Sequence, residues 1–503
     1  MMPQQLVAVG RADALAAAAA RHHLTLRHSS NVYQTMLLFS LAPPPGASED
    51  ERRWYAMQAT CPHLEAPLEH ATLETVESEL EAEAQRDITD VEDTVVVCPH
   101  HEWSWSLRTG ESDHSPAGMR ACTFAVSVQD GMLSVEAPQL EQNAPGSWLL
   151  VESRPVSERF YEPKPAADAG PSSSQVQLVA PDPVPQSLTA WASLVLNTAN
   201  PRLKVHYTRL AAAAWRDARC TRVGGGRWNF DDSEAPEWRR KPEETPPGIP
   251  PRDQLNVVRP GHEAKRGKGG TERGRIALLH SLASIEQIAI DLAWDIICRG
   301  PELFARLHPA SNPPPKLPNA FYTDFLRMAE DEAKHHTILC ERLEAFGVAF
   351  GDLPVHYGLF DSMRDTWHSL TARLSIVHLV HEARGLDVNP GTIARFAKAG
   401  DEDSVATLQI IHHDEVTHVA TGHRWLCHVA ECMTPPRAPV ELFREEVRAH
   451  FCGALREPFN RPERAQAGLT AEWYEDLRGE KRPGDGYSAG GVQAARQAQI
   501  AGG

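Results

Sequence analysis

Residues 96–111 read VVCPHHEWSWSLRTGE, and this stretch decides how the N-terminal part of the chain folds. It follows a β-rich segment, and its tight turn supplies one cysteine and one histidine, Cys98 and His101. An earlier turn supplies a second pair, Cys61 and His63. A proline stiffens each turn, and β-rich segments flank both. The sequence therefore predicts a small all-β domain in which two turns present four metal ligands.

The residue types of the two turns suit a [2Fe–2S] cluster. Such a cluster can bind two thiolates on one iron and two neutral imidazoles on the other. The predicted ligands are Cys61, His63, Cys98 and His101. Zinc is the alternative, because it also accepts two cysteines and two histidines. However, a turn that binds zinc normally carries two residues of one kind.

The surroundings of the two turns favour the cluster. The stretches CPHLEAPL (61–68) and VVCPHHEWSWSLRTGE (96–111) resemble the Rieske family at almost every position. The resemblance covers roughly residues 5–137 and implies a Rieske-type [2Fe–2S] domain over residues 1–137. Two features depart from the family pattern. Glu102 stands where the family usually has glycine, and an acidic, helix-favouring insertion at 73–93 lengthens the gap between the turns.

The rest of the chain changes character twice. Residues 138–184 are rich in proline, serine and glycine, which predicts a linker. Residues 185–477 have helical periodicity, and residues 478–503 have the composition of a disordered tail. Four long apolar-periodic segments, approximately 274–298, 321–346, 362–385 and 403–430, predict a four-helix bundle. The expected fold class is multidomain, with a small all-β domain and an all-α bundle.

The predicted bundle contains a second set of metal ligands. Glu-x-x-His occurs twice, at Glu332/His335 and at Glu415/His418, and each pair shares one helix face. A helix with a lone inward glutamate precedes each, which is the layout of carboxylate di-metal bundles. The predicted ligands are Glu286, Glu332, His335, Glu382, Glu415 and His418. Several buried carboxylates are costly unless a metal compensates them, and rim charges or buried ion pairs are the alternative.

Several blocks of this region resemble a ferritin-like family of largely uncharacterised function, distantly related to di-iron tRNA hydroxylases. The blocks are LLHSLASIEQIAIDLAWD (278–295), DEAKHHTILCERLEAFG (331–347), HEARGLDVNPG (381–391), HDEVTHVATGHRW (413–425) and EPFNRPERAQAGLTAEWY (457–474). The resemblance implies a ferritin-like di-iron centre with the six ligands named above. Ala283 stands where many relatives have histidine. His378 and His381 add imidazoles that could be partners of the ligands, alternative ligands or core histidines.

Bulk properties narrow the function classes. The formal net charge of −17 repels phosphate backbones, so a nucleic-acid partner is disfavoured. No apolar run reaches the roughly 18 residues that predict a membrane span. The nine scattered cysteines favour a reducing compartment, which predicts a cytoplasmic protein.

Together the two sites predict an O2-dependent di-iron oxygenase whose Rieske domain passes electrons to the di-iron centre. Fusion places electron donor and acceptor at high effective concentration. No flavin or nicotinamide fingerprint is present, so an external reductase is the expected electron source. One alternative is iron or peroxide handling, as in ferritins and rubrerythrin-like proteins. Another is a redox sensor or scaffold. The sequence leaves open the small-molecule substrate and the oligomeric state.

Overall fold

The structure is a computed structural model. It describes residues 5–43, 48, 52–63, 65–77, 92–100, 102–112, 119–140, 146–156, 177–224, 248–253, 255–260, 262–263, 270–308, 311 and 314–481. The predicted ligand His101, most of the insertion at 73–93, parts of the linker at 138–184 and nearly all of the tail at 478–503 lie outside the described residues. The chain divides into two compact units, Met1–Glu162 with Ala214–Arg219, and Pro163–Ala213 with Cys220–Gly503.

The first unit, here called the β unit, is built from short strands and one short helix. The strands are β1 (Leu6–Arg11), β2 (Arg21–His28), β3 (Tyr33–Leu41), β4 (Arg53–Gln58), β5 (Thr72–Glu77), β6 (Glu92–Val97), β7 (Ser104–Ser106), β8 (Thr123–Phe124), β9 (Val126–Gln129), β10 (Met132–Glu136) and β11 (Trp148–Pro155). The helix α1 (Ala12–Ala18) follows β1. The strands form three sheets, in the orders β1-β10-β9, β11-β2-β3-β4-β8 and β5-β6-β7.

Strand β3 explains how the β unit holds two cores. Successive side chains of a strand point to opposite faces. Leu37 and Phe39 pack in one core with Cys61 and Cys98, whereas Met36 and Leu38 pack in the other core against β2 and β10. All four of these β3 side chains are fully buried. The first core therefore supports the two turns that carry the predicted cluster ligands.

Two strands lie where the sequence analysis predicts other structure. β5 occupies the start of the segment interpreted as a helix-favouring insertion, and it pairs with β6 from Thr72↔Val97 to Glu77↔Glu92. β11 lies within the segment predicted to be a linker and pairs with β2 from Trp148↔His28 to Pro155↔His22, with a register shift between Leu150 and Glu152. Trp148 and Val151 of β11 are buried, so this stretch gains apolar burial as well as backbone hydrogen bonds. Composition averaged over 47 residues hides this short apolar segment.

The second unit, here called the helical unit, follows in the chain, and residues 214–216 at the end of its second helix are grouped with the β unit. Its helices are α2 (Leu188–Asn197), α3 (Pro201–Arg216), α4 (Glu272–Arg306), α5 (Asn319–Ala345), α6 (Gly358–Thr366), α7 (Leu370–Ser375), α8 (Glu382–Lys398), α9 (Glu402–Cys432), α10 (Pro439–His450), α11 (Arg461–Gln466) and α12 (Ala471–Tyr474). A two-stranded ribbon, β12 (Cys452–Ala454) and β13 (Arg478–Glu480), closes its C-terminal part. The predicted organisation, an all-β domain followed by an all-α region, is confirmed.

The long helices pack as the sequence predicts, with one difference. α4 packs along α5, α8 along α9, and α5 against α9. The third predicted helix, 362–385, is instead divided into α6, α7 and α8. The hydroxyl of Ser369 caps α7 by accepting a hydrogen bond from the Ala372 backbone N–H, which separates α7 from α6. A π-helical segment, Ile376–His381, then joins α7 to α8.

Helix α4 is the one described helix that is long and apolar enough to cross a membrane. In its most apolar stretch, 72% of the residues are buried inside the protein. Leu279 lies in one hydrophobic core with residues of α5 and α9, and Ile288 lies in another with Phe360 and Val377. The apolar character of α4 is therefore that of a core helix, and Glu286 lies between the two cores along it.

Candidate metal centres

The two turns of the β unit share one backbone pattern. In the first, the Cys61 N–H donates to the Ala66 carbonyl and the Glu65 N–H donates to the Cys61 carbonyl, both at 2.8 Å. In the second, the Cys98 N–H donates to the Trp103 carbonyl at 2.8 Å, and the Glu102 N–H to the Cys98 carbonyl at 3.0 Å. Both cysteine residues are only 1% exposed. The two turns thus present their cysteines in the same way from the same core.

The histidines of these turns are partly described. The ring of His63 stacks on the indole of Trp103, with centroids 4.1 Å apart and planes 17° apart. Trp103 belongs to the second turn, so this contact joins the two predicted ligand loops. His101 lies outside the described residues. Two buried cysteines and a histidine held by an aromatic ring fit the donor set of a cluster with two thiolates and two imidazoles.

Glu102 has a φ of +58°, in the left-handed region that favours glycine. Replacing Glu102 with glycine should therefore stabilise the β unit. The left-handed conformation costs a non-glycine residue roughly 1–2 kcal/mol. The greater flexibility of glycine in the unfolded chain offsets about 0.5–1 kcal/mol of this relief. Denaturant unfolding should show a higher midpoint for E102G. The matched variant E74G in β5 should lower it, and a lower midpoint for E102G would contradict this account of the turn.

The bundle brings all six predicted ligands together. Ligand atoms from Glu286, Glu332, His335 and Glu415 lie within 4.8 Å of one another. Ligand atoms from Glu332, Glu382, Glu415 and His418 form a second such group. α4, α5, α8 and α9 each contribute to these groups. Glu332 and Glu415 belong to both, so the structure contains two adjoining metal-sized groups with two shared carboxylates.

The carboxylate of Glu332 lies between the two imidazoles. Its Oε2 is 3.4 Å from Nδ1 of His335, and its Oε1 is 3.1 Å from Nδ1 of His418. The ring centroids of the two histidines are 5.8 Å apart. Both Nδ1 atoms and Glu332 Oε2 are buried without a hydrogen-bond partner. Buried nitrogen and oxygen atoms without hydrogen-bond partners fit a pair of metal ions, because coordination to a metal would satisfy them.

The charges of this cluster are strongly perturbed. Burial, together with nearby Glu332, raises the pKa of Glu286 well above its usual range. Burial and the carboxylates of Glu415 and Glu332 do the same to the pKa of Glu382. Burial acts to lower the pKa of His335, but the hydrogen bond to Asp414 and the nearby carboxylates of Glu286 and Glu332 outweigh burial and raise this pKa well above the usual range. Without metal the cluster therefore retains protons, which metal ions must displace on binding.

Two aspartates that are not among the predicted residues lie beside the outer nitrogens of the imidazoles, and one of them, Asp414, makes a hydrogen bond there. Nε2 of His335 lies 3.0 Å from Oδ2 of Asp414, and Nε2 of His418 lies 3.5 Å from Oδ2 of Asp331. Each aspartate directly precedes the glutamate of one Glu-x-x-His motif and contacts the histidine of the other. Lys334 Nζ joins them, at 3.1 Å from Asp331 and 2.5 Å from Asp414. The signal in the sequence that could have identified these aspartates is the repeated Asp-Glu-x-x-His pattern.

Replacing Asp414 with asparagine should weaken metal binding without removing a ligand. A carboxylate that accepts from the outer ring nitrogen fixes the tautomer and raises the basicity of the metal-facing nitrogen. Loss of such a partner typically costs about 10–100-fold in metal affinity. Competition with a chelator measures this change. Asp403 of the same helix, with its side chain 82% exposed, provides the control D403N. Equal affinities of both variants and the wild type would contradict the assigned role of Asp414.

The two additional histidines lie outside both ligand groups. Nε2 of His381 lies 2.9 Å from the hydroxyl of Ser362, and its ring meets Phe451 edge-on. His378 is fully buried, its ring contacts Phe325, and burial lowers its pKa well below the usual value. These contacts favour the interpretation that both residues are core histidines beside the cluster rather than metal ligands.

Buried ion pairs fix the helices that carry the ligands. Arg464 of α11 makes two hydrogen bonds to Asp387 of α8, at 2.8 and 2.7 Å, and its guanidinium stacks on Tyr474. Asp295 of α4 pairs with Arg299 and with Arg373 of α7. Removing one partner of such a pair leaves an uncompensated buried charge, which is strongly destabilising. The C-terminal segment therefore holds the helix that provides Glu382.

Comparison with known proteins bears on both units. The family described as "Protein of unknown function (DUF455)" matches residues 197–475, more than half of the chain. The chain belongs to the DUF455 family. The matched segment of this DUF455 chain contains all six predicted bundle ligands. A relative from Haemophilus influenzae, described as "Uncharacterized protein", is 32% identical over 235 residues, which cover 44% of this chain and 77% of the relative.

The N-terminal match is to the Rieske [2Fe-2S] domain, over residues 28–126. This segment includes both ligand turns, and the β unit of the DUF455 chain is accordingly a Rieske domain. The match supports a [2Fe–2S] cluster and a redox role based on electron transfer. The predicted resemblances to the Rieske family and to an uncharacterised helical family are both confirmed.

Proposed function

We propose that this chain is an O2-dependent di-iron oxygenase whose Rieske domain supplies electrons to a ferritin-like di-iron centre. The observation that carries the proposal is the position of Glu332, each of whose carboxylate oxygens faces one imidazole within 3.4 Å. A carboxylate in this position suits a bridge between two metal ions. The presence of a Rieske domain in the same chain adds an electron supply to that centre.

The chain's own residues would hold and orient the metals. Glu286 and His335 would bind one ion, Glu382 and His418 the other, and Glu332 and Glu415 could bind both. Asp331 and Asp414 would orient the two imidazoles so that Nδ1 is available to a metal. Burial excludes water from most of the cluster, which strengthens every charge interaction there. When bound, a di-iron pair supplies the two-electron reduction of dioxygen.

The electron supply defines the partners. A Rieske cluster transfers one electron at a time, so each turnover of an oxygenase would draw two electrons through it in sequence. We propose an external electron-donating reductase, a small-molecule substrate and a cytoplasmic location. Lys and Arg total 50 residues against 67 Asp and Glu, and this acidic balance weighs against a nucleic-acid substrate.

Oxygen uptake with isotope-labelled dioxygen tests this function. The iron-loaded chain, given a chemical reductant and a panel of small organic molecules, should consume O2 and place one labelled oxygen atom in a product. Peroxide should not accumulate. The competing function is iron or peroxide handling. Two results together would favour that competing function over the oxygenase. Oxygen uptake would yield no labelled product in the panel, and peroxide would accelerate oxidation of the reductant.

A further inference from the structure

The exposure of the six bundle ligands is uneven. The side chains of His335 and Glu332 are at most 1% exposed, and that of His418 is 2% exposed. The side chain of Glu415 is 10% exposed, and Glu382 is the one residue of the two ligand groups that is not fully buried. Solvent therefore comes closest to the centre on the side of Glu382 and Glu415.

Gly385 lies on this side. It stands one turn after Glu382, inside α8, and it is partly exposed. A Cβ at this position would lie 3.4 Å from Oε2 and 3.5 Å from Cδ of Glu415. Apart from the neighbouring backbone of α8 itself, no other heavy atom would lie as close to this Cβ. The missing side chain thus leaves a gap directly beside a shared carboxylate of the centre.

Helix packing does not account for this glycine. Glycine destabilises a helix interior relative to alanine, so its presence calls for a reason. Gly422 in α9 has a packing reason, because a Cβ there would lie 2.1 Å from the carbonyl oxygen of His378. At Gly385 the contacts of an added Cβ are ordinary van der Waals distances. Alanine would fit at this position, and its methyl group would occupy the space beside the Glu415 carboxylate.

We propose that Gly385 keeps open the passage by which small exogenous metal ligands, of the size of dioxygen, peroxide or azide, reach the centre. The inference rests on the proposed di-iron function. One methyl group at this position would narrow the gap beside Glu415. Gly385 therefore selects, by size, the molecules that can reach the metals. Gly385 is a specificity-determining residue in this account, and it is not a metal ligand.

Azide binding to the iron-loaded, oxidised full chain tests the passage, because azide bound to ferric iron adds a charge-transfer absorption band. G385A should bind azide at least about tenfold more slowly, which corresponds to a rise of about 1.4 kcal/mol in the barrier to association. G385V should bind it more slowly still. Iron content should stay at the wild-type level in both. The matched control is G391A, in the same helix, where an added Cβ meets nothing within 4 Å. G391A should bind azide like the wild type.

The possible outcomes separate this inference from the function beneath it. Unchanged rates of azide association in G385A and G385V, with normal iron content, would overturn the passage and leave the di-iron centre intact. Iron loss in G385A would also overturn the proposed passage. The glycine would then be needed to position the Glu415 carboxylate rather than to admit an incoming molecule. Absence of bundle iron from the wild type would instead reject the proposed function.

Discussion

Replacing Glu332 with alanine should empty the whole bundle centre rather than half of it. Glu332 belongs to both ligand groups, and its two oxygens face different imidazoles. Its loss would remove a ligand from each of the two ions of the proposed centre. Iron should fall from about four to about two per chain, the remainder being the [2Fe–2S] cluster. Iron analysis together with the cluster absorption spectrum measures this loss.

The controls for this experiment come from the same region. Glu344 of α5 is 52% exposed and pairs with Arg202, so E344A should retain about four irons. Glu286 contributes to one ligand group only, and E286A should therefore bind bundle iron more tightly than E332A does. If E332A kept the same bundle iron as E344A, Glu332 would not be a metal bridge.

Replacing Cys98 with serine should remove the Rieske cluster and stop electron delivery, while the bundle keeps its iron. Cys98 is buried at the start of the second turn, and its backbone N–H and carbonyl both hold that turn together. A serine hydroxyl replaces the thiolate poorly as a ligand of an iron–sulfur cluster. The signal of the reduced cluster in electron paramagnetic resonance should disappear. Reductant-driven oxygen uptake should fall to the background rate.

Cys122 provides the matched control, because it is exposed and lies outside both turns. C122S should keep both the cluster signal and the oxygen uptake. Undiminished uptake in C98S would show that the bundle receives electrons without the Rieske cluster. That result would remove the proposed reason for the fusion of the two units.

The sequence predicts which residues of the bundle come together better than it predicts the structure around them. Glu332 and Glu415 were recognisable because motif spacing and an apolar stripe agree, and burying a carboxylate on such a stripe requires compensation. The turns at Cys61 and Cys98 were recognisable because a nearly complete local motif surrounds each. In both centres the informative signal lies within one helix or one turn.

What the sequence analysis missed depends on contacts between distant segments. β11 forms in a proline- and serine-rich stretch because β2 offers it a pairing edge. Asp414 reaches His335 across 79 positions, which no single-helix pattern reveals. The division of the third bundle helix follows from local capping at Ser369 and a π-helical segment, and apolar periodicity does not distinguish these from a continuous helix. The gap at Gly385 exists only because α9 places Glu415 beside it.

Mössbauer spectroscopy of the iron-loaded full chain, combined with iron quantitation, tests the central claim most directly. We predict about four irons per chain in two equal populations, one with the parameters of a [2Fe–2S] cluster and one of an oxygen- and nitrogen-ligated iron pair. The second population should be absent in E332A and unchanged in C98S. A chain that retains only the cluster iron, or that carries zinc in the bundle, would contradict the di-iron centre.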